Sequence, residues 1–150
     1  MDAVTYPDGK VSDFISERMI PVRIPFDAQP LSSRFRITWT PTLIVLDMYG
    51  NEHHRTVGFL PPDELIPSLA LAIAKADFAA EAFSDAILSL DYLLSRYPAS
   101  GAAPEAVYLR GVCRYKSTKD AAPLKEAYNQ LIKEYPGSEW TKRAQPYSLL

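Results

Sequence analysis

Few residues in this chain could do chemistry, and their spacing decides against most of it. Cys113 is the single cysteine, which excludes an internal disulfide and any two-cysteine redox cycle within one chain. It lies in an apolar helical stretch with Val112 and Tyr115, so a buried structural thiol is expected. Arg110 and Arg114 are near it in sequence, but a reactive thiolate needs a cation or a helix N-terminus held against it. His53 and His54, the two histidines, stand side by side next to a turn, with Glu52 before them. Adjacent strand residues face opposite ways, so the pair does not chelate one metal; exposed turn residues are expected. There is no glycine-rich phosphate loop and no Ser/His/Asp set with supporting context. Asp63, Glu64 and Glu134 fall at helix ends or solvent faces, where carboxylates need no catalytic explanation. The sequence therefore offers no catalytic residue, no metal site and no cofactor. What remains is the stretch Trp39-Thr40-Pro41. Trp39 beside it reads equally as a peptide-contacting aromatic or a partly buried structural one.

The elements that position these residues begin with Leu43 to Leu46, a continuous apolar run. A strand there would be buried on both faces. Pro41 stands just ahead of it, where a missing N–H is tolerated. Gly50-Asn51 is a turn signal and Val57 to Leu60 is apolar again, so a hairpin is expected. Upstream, Asp8 or Ser12 can cap a helix to about Arg18 with Val11, Phe14 and Ile15 on one face. Ile20 to Phe26 reads as a strand that Pro21 and Pro25 confine to an edge or near-edge place.

From Pro62 onward the pattern becomes helical. Pro62 suits a first turn, and Leu65, Leu69, Ala72, Ile73, Ala76 and Ala80 carry a stripe to about Glu81. Leu93-Leu94-Ser95-Arg96-Tyr97-Pro98-Ala99-Ser100 aligns with Leu131-Ile132-Lys133-Glu134-Tyr135-Pro136-Gly137-Ser138, an offset of 38 residues. Each helix should stop at Tyr-Pro, because proline cannot continue it. A third helix is predicted between them, from Pro104 to about Tyr115.

Composition sets the outer limits. With 150 residues, 47% hydrophobic and 23% charged, the chain reads as one ordinary domain or two small ones sharing a core. A net charge of −2 gives no reason to expect nucleic acid or an anionic membrane surface as a partner. The longest apolar run, Ile66 to Ala74, is too short to span a bilayer. Met1-Asp2-Ala3 opens no signal-peptide pattern, so a cytoplasmic place is expected, or a periplasmic one if the natural protein extends upstream.

Two resemblances sharpen this reading. Thr40-Pro41-Thr42 feeding a buried strand and hairpin resembles the second half of the thioredoxin fold. Tyr6-Pro7-Asp8, Pro21-Val22-Arg23-Ile24 and Gly58-Phe59-Leu60-Pro61-Pro62 also look like thioredoxin-like proteins. That resemblance implies a cis Pro41 where substrate backbone binds, and a Cys-x-x-Cys motif a few residues before the position of Met1. It also implies a central strand for which this chain has no residues, leaving a gap of roughly 9–10 Å between flanking strands. A rearranged sheet, or a homodimer that covers the open edges, is the expectation. The second resemblance lies in Ala103-Pro104-Glu105-Ala106-Val107-Tyr108-Leu109-Arg110-Gly111 after Tyr-Pro-x-Ser, which is similar to the tetratricopeptide-like repeats of Tol-Pal coordination proteins.

The expected fold class is α/β plus all-α: a truncated thioredoxin-like unit over 1–61, then an antiparallel array of tetratricopeptide-like helices over 62–150, with the helix of about 62–75 shared. The expected function is that of a protein-interaction module, redox-inactive in this chain. Its partner would be a protein or peptide, not nucleic acid or membrane. The binding surfaces would be Trp39, Thr40 and Pro41, and an interhelical groove near Tyr92, Tyr108 and Tyr115. The alternative is a truncated thiol–disulfide oxidoreductase whose cysteine pair lies upstream.

Overall fold

The computed structural model describes residues 1–150. The chain forms two compact units, Met1–Ile66 and Pro67–Leu150.

In the first unit, helix α1 (Gly9–Arg18) starts where Asp8, in an extended conformation, accepts hydrogen bonds from the backbone N–H groups of Lys10 and Val11. That cap satisfies donors which the first helical turn leaves without partners. Val11 and Phe14 form its buried face. Ahead of it, Met1 to Thr5 coil into a single turn closed on the Met1 carbonyl. Thr5 is buried there and donates to the Leu60 carbonyl at 2.7 Å. A one-turn helix, α2 (Leu31–Arg34), follows Pro30, held by Gln29, whose amide bonds Ser32 and Ser33.

The sheet is smaller than the sequence predicts. Strands β1 (Thr42–Leu46) and β2 (Glu52–Val57) pair antiparallel, Thr42 opposite Val57 and Val45 opposite His54, with a bulge between Val45 and Leu46. The second strand thus precedes the predicted Val57–Leu60. Ile20–Phe26 forms no strand at all, and residues 20–27 are exposed throughout. Two prolines without N–H groups, in a sheet of only two strands, leave that segment without a ladder. Burial of β1 on both faces is also corrected: Thr42 to Val45 are half-buried and Leu46 is exposed. His53 and His54, predicted as exposed turn residues, are half-buried within β2.

Helix α3 (Pro62–Ala79) opens with Asp63 and Glu64 at its positive end and contains Pro67, so the division between the units falls inside it. It ends where Glu81, at φ 59°, turns the chain so that the Ala82 N–H reaches back to the Asp77 carbonyl.

The second unit continues with α4 (Phe83–Arg96), α5 (Ala103–Thr118), α6 (Ala122–Glu134) and α7 (Glu139–Ala144), followed by a 3₁₀ turn, Gln145–Leu149. Its consecutive helices pack on one another over Leu90, Leu93, Ala103, Ala106, Val107, Leu124, Ala127 and Leu131. The repeat is real at backbone level. Tyr97 and Tyr135, which close α4 and α6, share φ/ψ values of −134°/49° and −135°/52°. Each donates its N–H to the residue four back, Leu93 or Leu131, at 2.8 Å. The Tyr135 hydroxyl joins the two copies by donating to the Pro98 carbonyl at 2.6 Å. Where α5 crosses α6, Gly111 lets the backbones touch: a Cβ there would stand 2.6 Å from the Ala127 Cβ and 3.0 Å from the Pro123 oxygen. This is a tetratricopeptide-like helical array. No helix is long and apolar enough to cross a membrane.

Candidate protein-interaction surfaces

Pro41 follows a cis Thr40–Pro41 bond, as the resemblance implies, and its carbonyl accepts from the Gly58 N–H at 2.8 Å. Trp39 and Thr40 are exposed, the indole to 68%, while Pro41 is half-buried. The Thr42 hydroxyl donates to the Trp39 carbonyl at 2.6 Å, which fixes the backbone where it runs into β1. The tryptophan is therefore a solvent-facing aromatic next to a strand, not a core residue.

The three tyrosines fall into different groups. Tyr92 on α4 lies against Tyr97, ring centres 6.2 Å apart. Tyr108 on α5 stacks on Tyr147 at 5.8 Å and tilts against Trp140 at 5.2 Å, with the two tyrosine hydroxyls 3.0 Å apart. Burial and the Tyr108 hydroxyl push the Tyr147 phenol up to about 12. Tyr115 is half-buried on the same helix.

Sequence reading missed the aromatic corner of Tyr108, Trp140 and Tyr147, and with it Arg143, whose guanidinium sits 4.6 Å over the Trp140 ring. Its signal was available in Ser138: the hydroxyl accepts from the Trp140 N–H and caps α7. Ser-x-x-Thr after Tyr-Pro-Gly marks a helix start, which aims Trp140 inward.

The remaining chemistry-bearing groups are committed to structure. Cys113 is wholly buried, and burial, with the nearby charge of Asp77 adding to it, pushes the thiol up to about 11. Arg110, near it in sequence, gives its guanidinium to Asp91 at 2.7 Å and Gln130 at 2.9 Å, tying α4, α5 and α6 together. His53 Nε2 lies 2.9 Å from Asp47 Oδ2 in the β1–β2 turn. Asp47 also accepts from the backbone N–H groups of Tyr49 and Asn51 and from the Asn51 amide. The His53 and Asn51 bonds hold its carboxyl well below the usual carboxylate range. A cleft of about 60 Å³ between α5 and α6, lined by Arg110, Gly111 and Arg114, has room for a few waters but not for a substrate.

Against known proteins, a family model described as outer membrane lipoprotein YfiO matches residues 59–147. Neither curated proteins nor solved structures give a match.

Proposed function

The chain belongs to the YfiO family of outer membrane lipoproteins, and on that premise we propose that it is a protein-interaction module whose helical array offers the binding surface. The observation that carries this reading is the coincidence of the family match with α3 to α7, two repeats closed by the same Tyr-Pro geometry. Stacked helix pairs of this type present extended faces to partners rather than deep pockets. The candidates for contact are Tyr92 and Tyr115 in the array and Trp39, Thr40 and Pro41 ahead of β1; Tyr108 contributes through its corner with Trp140 and Tyr147. Residues 1–61 are read as part of a thioredoxin-like unit, supported by the order α1, α2, β1, β2, α3 and by Pro41 leading into β1. That unit has no redox role in this chain, since Cys113 belongs to α5 and its thiol is buried and protonated at neutral pH.

A photo-crosslinking amino acid placed singly at Trp39, Tyr92 and Tyr115, in the cell that expresses the protein, tests the reading. Discrete protein adducts from these positions, and none from Lys133 on the exposed face of α6, are expected. Turnover of a disulfide substrate by the purified chain, or adducts from all positions alike, would overturn it. Cys113 should resist a thiol reagent until the chain is unfolded, because the thiolate is scarce and sequestered.

A further inference from the structure

Helices α4 and α6 both pack on α5 but not on one another, so α5 lies at the bottom of a furrow between them. Arg110 spans that furrow, bonded to Asp91 on one wall and to Gln130 on the other. Consecutive helices joined by short turns run antiparallel. One turn further along α5, Arg114 is therefore level with Leu88 on α4 and with Glu126 on α6. The groups around Arg110 are committed: Asp91 is paired with it, and the Gln130 amide donates to Glu134 at 2.9 Å. Arg114 is different. It is half-buried and lines the cleft between α5 and α6, yet its guanidinium meets no carboxylate or other acceptor. Glu126 lines the same cleft from α6, exposed, and does not pair with it. Leu88, on the wall that carries Asp91, is 68% exposed.

We propose that this end of the furrow is a docking point for an acidic side chain of a protein partner, with its carboxylate taken by Arg114 and a neighbouring apolar residue resting on Leu88. This deepens the protein-interaction reading and rests on it. A half-buried guanidinium gains more from a counter-ion than exposed Glu126 does, because Glu126 keeps its water. The unmet need of the furrow is therefore for an anion. Size and shape narrow the class. Gly111, with no side chain, and Ala127 line a cleft of about 60 Å³, which suits the flat end of one aspartate or glutamate. A carboxylate matches the guanidinium fork with two parallel hydrogen bonds. A phosphate is bulkier, carries more charge, and is repelled harder by Glu126 on the facing wall. Leu88 adds an apolar contact that a peptide can use and a bare ion cannot.

The probe is the tripeptide N-acetyl-Leu-Glu-Leu-amide, titrated into the isotope-labelled full chain while the amide resonance of Gly111, inside the cleft, is followed by NMR. A saturable shift is expected from this peptide, and little or none from its glutamine counterpart or from inorganic phosphate. Arg114→Gln should weaken binding about tenfold and Leu88→Ser about threefold. Glu126→Gln removes the competing carboxylate and should tighten binding about threefold. That opposite sign separates docking from a structural role, in which Arg114 and Glu126 serve each other and both variants lower the melting temperature. The melting temperature should instead hold in Arg114→Gln and fall in Arg110→Gln, which loses the bridge between α4 and α6. No saturable shift, an equal shift from the glutamine peptide or from phosphate, or weaker binding in Glu126→Gln would each overturn the proposal. Crosslinking at Trp39 and Tyr115 is read separately: its loss ends the interaction reading, whereas loss of tripeptide binding alone ends only the carboxylate site.

Discussion

The helical unit and the hairpin unit hold themselves together by different physics. Between Pro67 and Leu150 the interior is a continuous set of leucines, alanines and small residues with little or no exposure, among them Leu71, Leu90, Leu93, Ala106 and Leu131. Between Met1 and Ile66 few side chains reach that state, and Ile20, Val22, Phe26, Met48 and Tyr49 stand in solvent. What orders the first unit is local hydrogen bonding: Asp8 at the start of α1, Gln29 around α2, Asp47 in the hairpin turn. One unit draws on apolar burial, the other on caps and turns worth about 1 kcal/mol each.

The sharpest way to break that contrast is to cut into the helical core. Leu131 is fully buried with Val107, Ala127 and Ala144 around it, and Tyr135 and Trp140 packed outside. Leu131→Ala should cost about 2–5 kcal/mol from lost transfer energy and the cavity left behind. Met48→Ser at the hairpin tip, where the side chain is 88% exposed, should change stability by no more than ~0.5 kcal/mol. Thermal melts of the two variants measure the difference directly. Equal losses would mean that burial does not separate the two units.

Next in size is Gly111. Alanine is the better helix former by about 1 kcal/mol, which argues for a gain from Gly111→Ala. Against it stands a Cβ driven within 2.6 Å of the Ala127 Cβ and 3.0 Å of a main-chain oxygen, neither of which is the free end of a flexible side chain. Overpacking of that kind costs about 1–3 kcal/mol, so the variant should be net destabilised in chemical denaturation.

The helical unit was legible because its signals are local and redundant. A 3.6-residue stripe, two Tyr-Pro stops and a 38-residue offset all point the same way, and each predicted helix is present with its ends displaced by a few residues. α1 was legible for the same reason, since Asp8 names its own helix start. The sheet was not. Whether Ile20-Pro21-Val22-Arg23-Ile24-Pro25-Phe26 becomes a strand depends on whether a second strand is there to pair with it, which no pattern within seven residues encodes. The same limit applied to His53, whose carboxylate partner lies six residues away across a turn. Of the candidate surface, the exposure of Trp39 was left open in sequence and the aromatic corner was missed, because Tyr108, Trp140 and Tyr147 meet only when α5 and the chain's last turns pack together.

A smaller effect separates two serines at equivalent places in the repeat. Ser138 accepts from the Trp140 N–H and caps α7. Ser100, 38 residues earlier, is buried with its hydroxyl unpartnered. Ser138→Ala should cost ~1 kcal/mol by orphaning a helix donor. Ser100→Ala removes a desolvated hydroxyl that bonds to nothing, and should be neutral or slightly stabilising. Unfolding curves that ranked them the other way would show that the repeat's geometry does not govern its capping.

The smallest expected effect belongs to the hairpin and is a matter of pH. Asp47 is held below the ordinary carboxylate range by bonds from His53 and Asn51, with lesser help from Tyr49. A group whose folded-state pKa is depressed contributes stability above its unfolded value, about 3.9, and loses it as the pH falls toward the folded value. Amide exchange at Tyr49 and Asn51 should therefore be steady from neutral pH down to about 5, and should accelerate relative to the intrinsic rate below about 4. Asp47→Asn cannot lose a charge, so its turn should be weaker at neutral pH and flat across the same range. The amides of α4 and α6, guarded by buried leucines rather than by one carboxylate, should keep their protection where the hairpin's has begun to fall. If both regions lose protection together, the two units open as one, and the division of labour between burial and local hydrogen bonds does not hold.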